Sequence, residues 1–147
     1  YRYLIATRAV ASRRIILYGE SIGSAVALDL ASKVSVTAVV VQGGFSSAID
    51  MGRVIFPWVP SWLLENFASV KFDAQKRAAN LKVPKLFIHG SADTIIPLSL
   101  GRKLYEGAAS PKEFFIIPGD HNDGPYVYQR EFITRFTEFV ATHCSSS

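Results

Sequence analysis

Unbroken apolar runs, rather than alternating ones, set the rhythm of this chain. Ile15-Ile16-Leu17-Tyr18, Ala38-Val39-Val40-Val41, Leu86-Phe87-Ile88 and Phe114-Phe115-Ile116-Ile117 are short and uninterrupted by charge. Runs of that kind predict strands covered on both faces, the condition of a parallel sheet. Segments with helical spacing lie between them. Residues 24–33 are apolar nearly all round, which predicts a buried helix. Asp73 stands where an N-cap would open a helix to about Asn80, and a further helix over 98–107 follows the third run. In 129–143, Phe132, Phe136, Phe139, Val140 and His143 recur at spacings of three and four, one stripe along a closing helix. Strand-then-helix repetition predicts right-handed βαβ units in a single open α/β domain over 1–147, with about four parallel strands and helices on both faces. Residues 52–72 break the rhythm. Pro57, Trp58, Pro60, Trp62, Leu63, Leu64 and Phe67 crowd into them, and the segment reads as a lid-like insertion. Residues 1–12 read as one more helix and 145–147 as a frayed tail.

Composition narrows the class. The 147 residues are 49% apolar and 19% charged, with a mean hydropathy of +0.21, which excludes a disordered or fibrous chain. A chain of this length hides roughly 68–70% of its unfolded surface, enough for a core without staples. No apolar run approaches the ~18 residues of a membrane span. Residues 1–10 carry two arginines and no small-residue cleavage site, so no secretory leader is expected and a cytoplasmic protein is. The balance of 16 Lys+Arg against 12 Asp+Glu gives +4, but the cations are scattered and no nucleic-acid partner is expected. Cys144 is the one cysteine, which excludes an internal disulfide. Neither the histidines nor the acids show ligand spacing, so no metal or cofactor is expected.

The chemistry is concentrated where strands end. Directly after the first run comes Gly19-Glu20-Ser21-Ile22-Gly23, followed by the Ala-rich helix. A sharp strand-to-helix turn exposes the serine oxygen, while glycines on either side relieve backbone crowding. The nearby helix N-terminus favours developing negative charge. A serine hydroxyl needs a base, and the base needs an orienting carboxylate. Asp93 follows the third run and His121 the fourth, both in loops at the carboxyl edge where open α/β sheets build their sites. His89 closes a strand and reads as a packed residue, and His143 lies on the final helix. Asp120 and Asp123 are rival acids. A residue adjacent to the histidine is poorly placed to lie behind its Nδ1, whereas Asp93, from a neighbouring strand, is well placed.

Taken together, Leu17-Tyr18-Gly19-Glu20-Ser21-Ile22-Gly23, Val83-Pro84-Lys85-Leu86-Phe87-Ile88-His89-Gly90, Asp93 with Ile96-Pro97, and His121-Asn122-Asp123 resemble an α/β-hydrolase. Phe45-Ser46-Ser47 is similar to that family's loop after the next strand. The resemblance is to the compact serine aminopeptidase-like and dienelactone hydrolase-like groups, from the nucleophile strand onward. It implies a truncated α/β-hydrolase fold and a serine esterase with Ser21 as nucleophile, His121 as base and Asp93 as orienting acid. The Ile22 N–H would be one oxyanion donor, and Phe45, Trp58, Val59, Trp62 and Leu63 would line an acyl pocket. The substrate expected is a small carboxylic ester with a short or medium acyl chain. Acyl-thioester or peptide hydrolysis is a relative of the same fold, and a non-catalytic binding module is the alternative from another class. The family's second oxyanion donor comes from a loop upstream of anything in this sequence. Losing one such donor costs ~10²–10³ in turnover, roughly 3–4 kcal/mol, so Gly43, Gly44 and Phe45 become substitutes to examine. The strand at 15–18 is interior in the family's sheet. Bare here, it is expected to form a homodimer by pairing with its copy.

Overall fold

The computed structural model describes residues 1–67 and 73–144. The end of the insertion at 68–72 and the tail at 145–147 lie outside them. The elements run α1 (Arg2–Ala6), a 3-10 turn at Ser12–Arg14, β1 (Ile16–Glu20), α2 (Ile22–Ala31), β2 (Ala38–Gln42), α3 (Ala48–Ile55) and α4 (Ser61–Phe67). They continue with α5 (Ala74–Asn80), β3 (Lys85–Gly90), α6 (Leu98–Gly107), β4 (Lys112–Ile117), α7 (Gly124–Val127) and α8 (Gln129–His143). The strands form one four-stranded sheet in the order β1-β2-β3-β4. Every pair is parallel, with Leu17 opposite Val39, Val41 opposite Phe87 and Ile88 opposite Phe115.

Both central strands are buried along their whole length, which is what their unbroken apolar spelling records. Val39, Val41 and Phe87 face Ala25 and Leu28 of α2, Ala74 and Ala78 of α5, and Leu104 of α6. Ala38, Val40, Leu86 and Ile88 face the other way, onto Phe139 of α8. Right-handed crossovers that step repeatedly in one direction put their helices on one face. That is where α2, α5 and α6 lie, leaving α8 to cover the opposite face. Leu28, Leu104 and Phe139 are all but inaccessible, and each contributes about 1.5–3 kcal/mol on burial.

Three boundaries differ from those the sequence predicts. The helix after β1 begins at Ile22, two positions early, because the serine turn itself sets the first helical residue. The helix expected over 1–12 is only Arg2–Ala6: Ala9 takes φ 51°, and the Val10 N–H turns back to the Leu4 carbonyl at 2.9 Å. The insertion opens earlier than 52, with α3 capped by the Ser47 hydroxyl accepting from the Asp50 N–H. Asp50 in turn accepts from Lys103 of α6 at 2.8 Å and from Ser46 Oγ at 2.5 Å. This fastens α3 to the layer beneath it.

Candidate active site

Ser21 sits between β1 and α2 with φ 53° and ψ −125°, a region an L-residue enters at a cost of order 1–3 kcal/mol. The surrounding structure enforces it. The Ser21 N–H is tied to the Gln42 carbonyl at the end of β2, 2.9 Å away. Behind it, a Cβ on Gly19 would lie 2.4 Å from the Gly23 carbonyl oxygen, so only glycine allows α2 to start this close to β1. Gly23 meets nothing within 4 Å; of the two glycines in the motif, contacts within this chain require the first. The Ile22 N–H opens α2, at the helix end whose free donors suit an anion.

Asp93 and His121 come from the loops after β3 and β4 and meet each other at the carboxyl edge of the sheet. His121 Nδ1 lies 2.6 Å from Asp93 Oδ2, and both side chains are almost inaccessible, at 6% and 0%. The other carboxylate oxygen, Oδ1, accepts the N–H groups of Ile95 at 3.0 Å and Ile96 at 2.7 Å. A carboxylate acceptor on Nδ1 fixes the proton there and leaves Nε2 as the free base. The link back to Ser21 runs through Gln42 and Gly43: the first accepts the Ser21 N–H, and the second lies against the His121 ring. A Cβ on Gly43, at φ 53°, would stand 3.0 Å from His121 Cε1.

The rival acids hold loops. Asp120 Oδ1 accepts from the Thr94 N–H at 2.8 Å and the His121 N–H at 2.7 Å, pinning the histidine loop to the Asp93 loop. Those bonds, Thr94's first, hold the Asp120 carboxyl below its usual range. Asp123 accepts the Asp120 N–H at 2.8 Å. His143 lies 2.8 Å from Glu113 on β4, away from this edge. Among the described residues no cluster of His, Cys, Asp or Glu could hold a metal ion.

The expected pocket residues are not brought together. Val59 and Leu63 line a groove of about 360 Å³ between α3 and α4, with Ala48, Ile49, Gly52, Phe56 and Leu64. Trp58 and Trp62 are 75% and 63% exposed, and Phe45 is buried. Of the substitutes for the second oxyanion donor, Gly43 is excluded, because its N–H is engaged by the Ile88 carbonyl at 2.9 Å. Sequence reasoning did not place Gly43 against His121, and no local spelling signals that contact.

A parallel sheet with a strained serine after β1, an aspartate after β3 and its histidine partner after β4 is the nucleophile-to-C-terminus portion of an α/β-hydrolase. The family model described as serine hydrolase (FSH1) matches residues 19–122, and the chain belongs to that family. It is 35% identical over 130 residues to the uncharacterized protein Rv2307c of Mycobacterium tuberculosis, a match covering 86% of this chain and 44% of that one. It is also 35% identical over 139 residues to the alpha/beta hydrolase domain-containing protein aho-3 of Caenorhabditis elegans, covering 93% and 39%. The chain thus spans less than half the length of these relatives. Among solved structures, the Pyrococcus furiosus esterase Pf2001 superposes with a TM-score of 0.75 at 22% identity, over 98% of this chain and 59% of that one. The acylaminoacyl peptidase of Pyrococcus horikoshii gives 0.74 at 21%, over 99% and 26%. At those identities the likeness is one of fold.

Proposed function

We propose that Ser21, His121 and Asp93 form the triad of a serine hydrolase acting on carboxylic esters of short or medium acyl chain. The observation that carries the reading is the buried 2.6 Å Asp93–His121 bond, on the same sheet edge as a serine whose backbone is held at φ 53°. In the reaction, Ser21 Oγ bonds to the ester carbonyl carbon as His121 Nε2 takes the hydroxyl proton. The tetrahedral intermediate collapses, the bond to the alkoxy oxygen breaks, and Nε2 returns the proton to the leaving alcohol. Water then attacks the acyl-serine by the same proton path. Asp93 keeps the proton on Nδ1 and stabilises the imidazolium between the two transfers. The Ile22 N–H is the oxyanion donor, and the groove between α3 and α4 that bears Val59 and Leu63 is the proposed acyl site. Solved neighbours include an esterase and an acylaminoacyl peptidase.

A fluorophosphonate probe should label Ser21 in the wild type and nothing in Ser21→Ala, with p-nitrophenyl butyrate hydrolysis lost in parallel. His121→Ala should fall nearly as far, and Asp93→Asn by about 10⁴ through the wrong tautomer. Full activity in Asp93→Asn alongside a dead Asp120→Asn would reassign the acid. An unlabelled wild type would leave the non-catalytic binding module as the better reading. For the open side of β1 we propose antiparallel pairing with the same strand of a second copy.

A further inference from the structure

We propose that His89 is a positioning residue of this site: its buried imidazole grips the 93–96 turn from behind and keeps the Asp93 carboxylate aimed at His121. The inference rests on reading Asp93 and His121 as acid and base. His89 is the penultimate residue of β3, four residues before Asp93, and is 2% exposed. Its Nε2 lies 2.8 Å from the Ile96 carbonyl. A carbonyl only accepts, so Nε2 carries the proton and the tautomer is fixed. Ile96 is thereby held at both ends, its carbonyl by His89 and its N–H by Asp93 Oδ1 at 2.7 Å. The same His89 nitrogen stands 3.4 Å from Asp93 Oδ2, the oxygen that bonds His121. This is too long for a second full hydrogen bond, but it leaves an N–H dipole flanking the carboxylate. Asp93 thus lies between two imidazoles, bonded to one and braced by the other.

Two observations make the brace more than core filling. Burial pushes the pKa of His89 down, so it stays neutral and does not compete with His121 for the charge of Asp93. In addition, α6 carries Gly101 at the contact, where a Cβ would stand 2.2 Å from His89 Nδ1. Glycine inside a helix is unfavourable. Here its absent side chain is the space the ring occupies, so the helix backbone seats the imidazole against the acid turn.

The test separates donor from bulk. His89→Gln can return an N–H near the position of Nε2, whereas His89→Leu fills volume without a donor. Two readouts apply: steady-state hydrolysis of p-nitrophenyl butyrate, and the far-downfield proton NMR signal of the short Asp93–His121 bond, which needs no turnover. In His89→Leu, kcat is expected to fall roughly 100-fold, the scale of a misplaced catalytic group, with KM little changed and the downfield signal lost to water exchange. In His89→Gln the signal should persist and most of kcat return. Should His89→Leu fail to fold, Gly101→Ala displaces the same ring from the other side, and it should weaken both signal and turnover. Wild-type kcat and an intact signal in His89→Leu would overturn the proposal. So would equal losses in Leu and Gln variants with the signal unmoved. If the wild-type protein hydrolyses no ester, the esterase reading fails while the NMR signal alone still decides the role of His89.

Discussion

A methyl group at Gly43 would stand 3.0 Å from His121 Cε1 and 3.2 Å from Nδ1, on a backbone whose φ of 53° already disfavours any L side chain. Gly43→Ala should therefore act twice. Urea melts should show a loss of roughly 1–2 kcal/mol from the left-handed backbone. Turnover of a p-nitrophenyl ester should fall by about 10²-fold as the ring is pushed off line. A loss of stability alone, at unchanged kcat, would mean that the ring has room to yield. At this scale the sequence was readable wherever chemistry is spelled locally. Ser21 stands out because its turn needs Gly19 two residues away, and His121 and Asp93 because each lies in the loop that follows a strand. Gly43 and His89 are spelled no differently from any strand-ending residue. Their roles come from contacts with side chains delivered by other loops.

Lys85 opens β3 and is wholly inaccessible. Its Nζ donates back to the carbonyls of Leu81 at 2.8 Å and Val83 at 2.7 Å. Burial above all, then Lys112 and Lys82, brings its pKa from 10.5 down to about 8. The unfolded chain keeps that proton up to about 10.5 while the folded protein releases it near 8. Between those values the unfolded state binds more protons, so stability rises with pH. Below about 8 both states are protonated and the cost is present in full, on the order of 3 kcal/mol. Urea unfolding of wild type and Lys85→Met across this window should show the wild type gaining on the variant as pH rises. Parallel curves would mean that the two carbonyls hold the proton. The apolar run read from the sequence begins at Leu86, and the charge of Lys85 points to the surface. Only the fold of 81–85 around the ammonium shows otherwise. The predicted strands survive as elements because burial on both faces leaves an unbroken apolar signature. The helix bounds at α1 and α2 moved because turns and caps, not periodicity, end short helices.

Across the whole molecule the unbalanced feature is the sheet's β1 side. Among the described residues β1 pairs only with β2, and Tyr18, Ile22 and Val26 near it are 46%, 59% and 55% exposed. The far side of an edge strand offers unpaired N–H and C=O groups to any strand of suitable register. Burial, then the charges of Glu20 and Tyr126, raises the Tyr18 phenol to about 12, so it stays neutral beside that edge. If a second copy pairs with β1, sedimentation at micromolar concentration should give a species near twice 16.2 kDa. A clean monomer that stays soluble would exclude it.

By itself the sequence determined the α/β alternation, the two-sided burial of the sheet, and the order and loop placement of Ser21, Asp93 and His121. Each of these is fixed by neighbours along the chain, through periodicity, turn geometry or a strand's end. The tertiary structure alone decided that Gly43 walls the His121 ring, that His89 and Gly101 brace the acid turn, and that Lys85 is buried. It also decided that the tryptophans of the insertion face outward while Val59 and Leu63 line a groove. Those facts depend on which loops and helices meet after the sheet has formed. Packing of side chains distant in sequence leaves no period or motif in the chain to announce it.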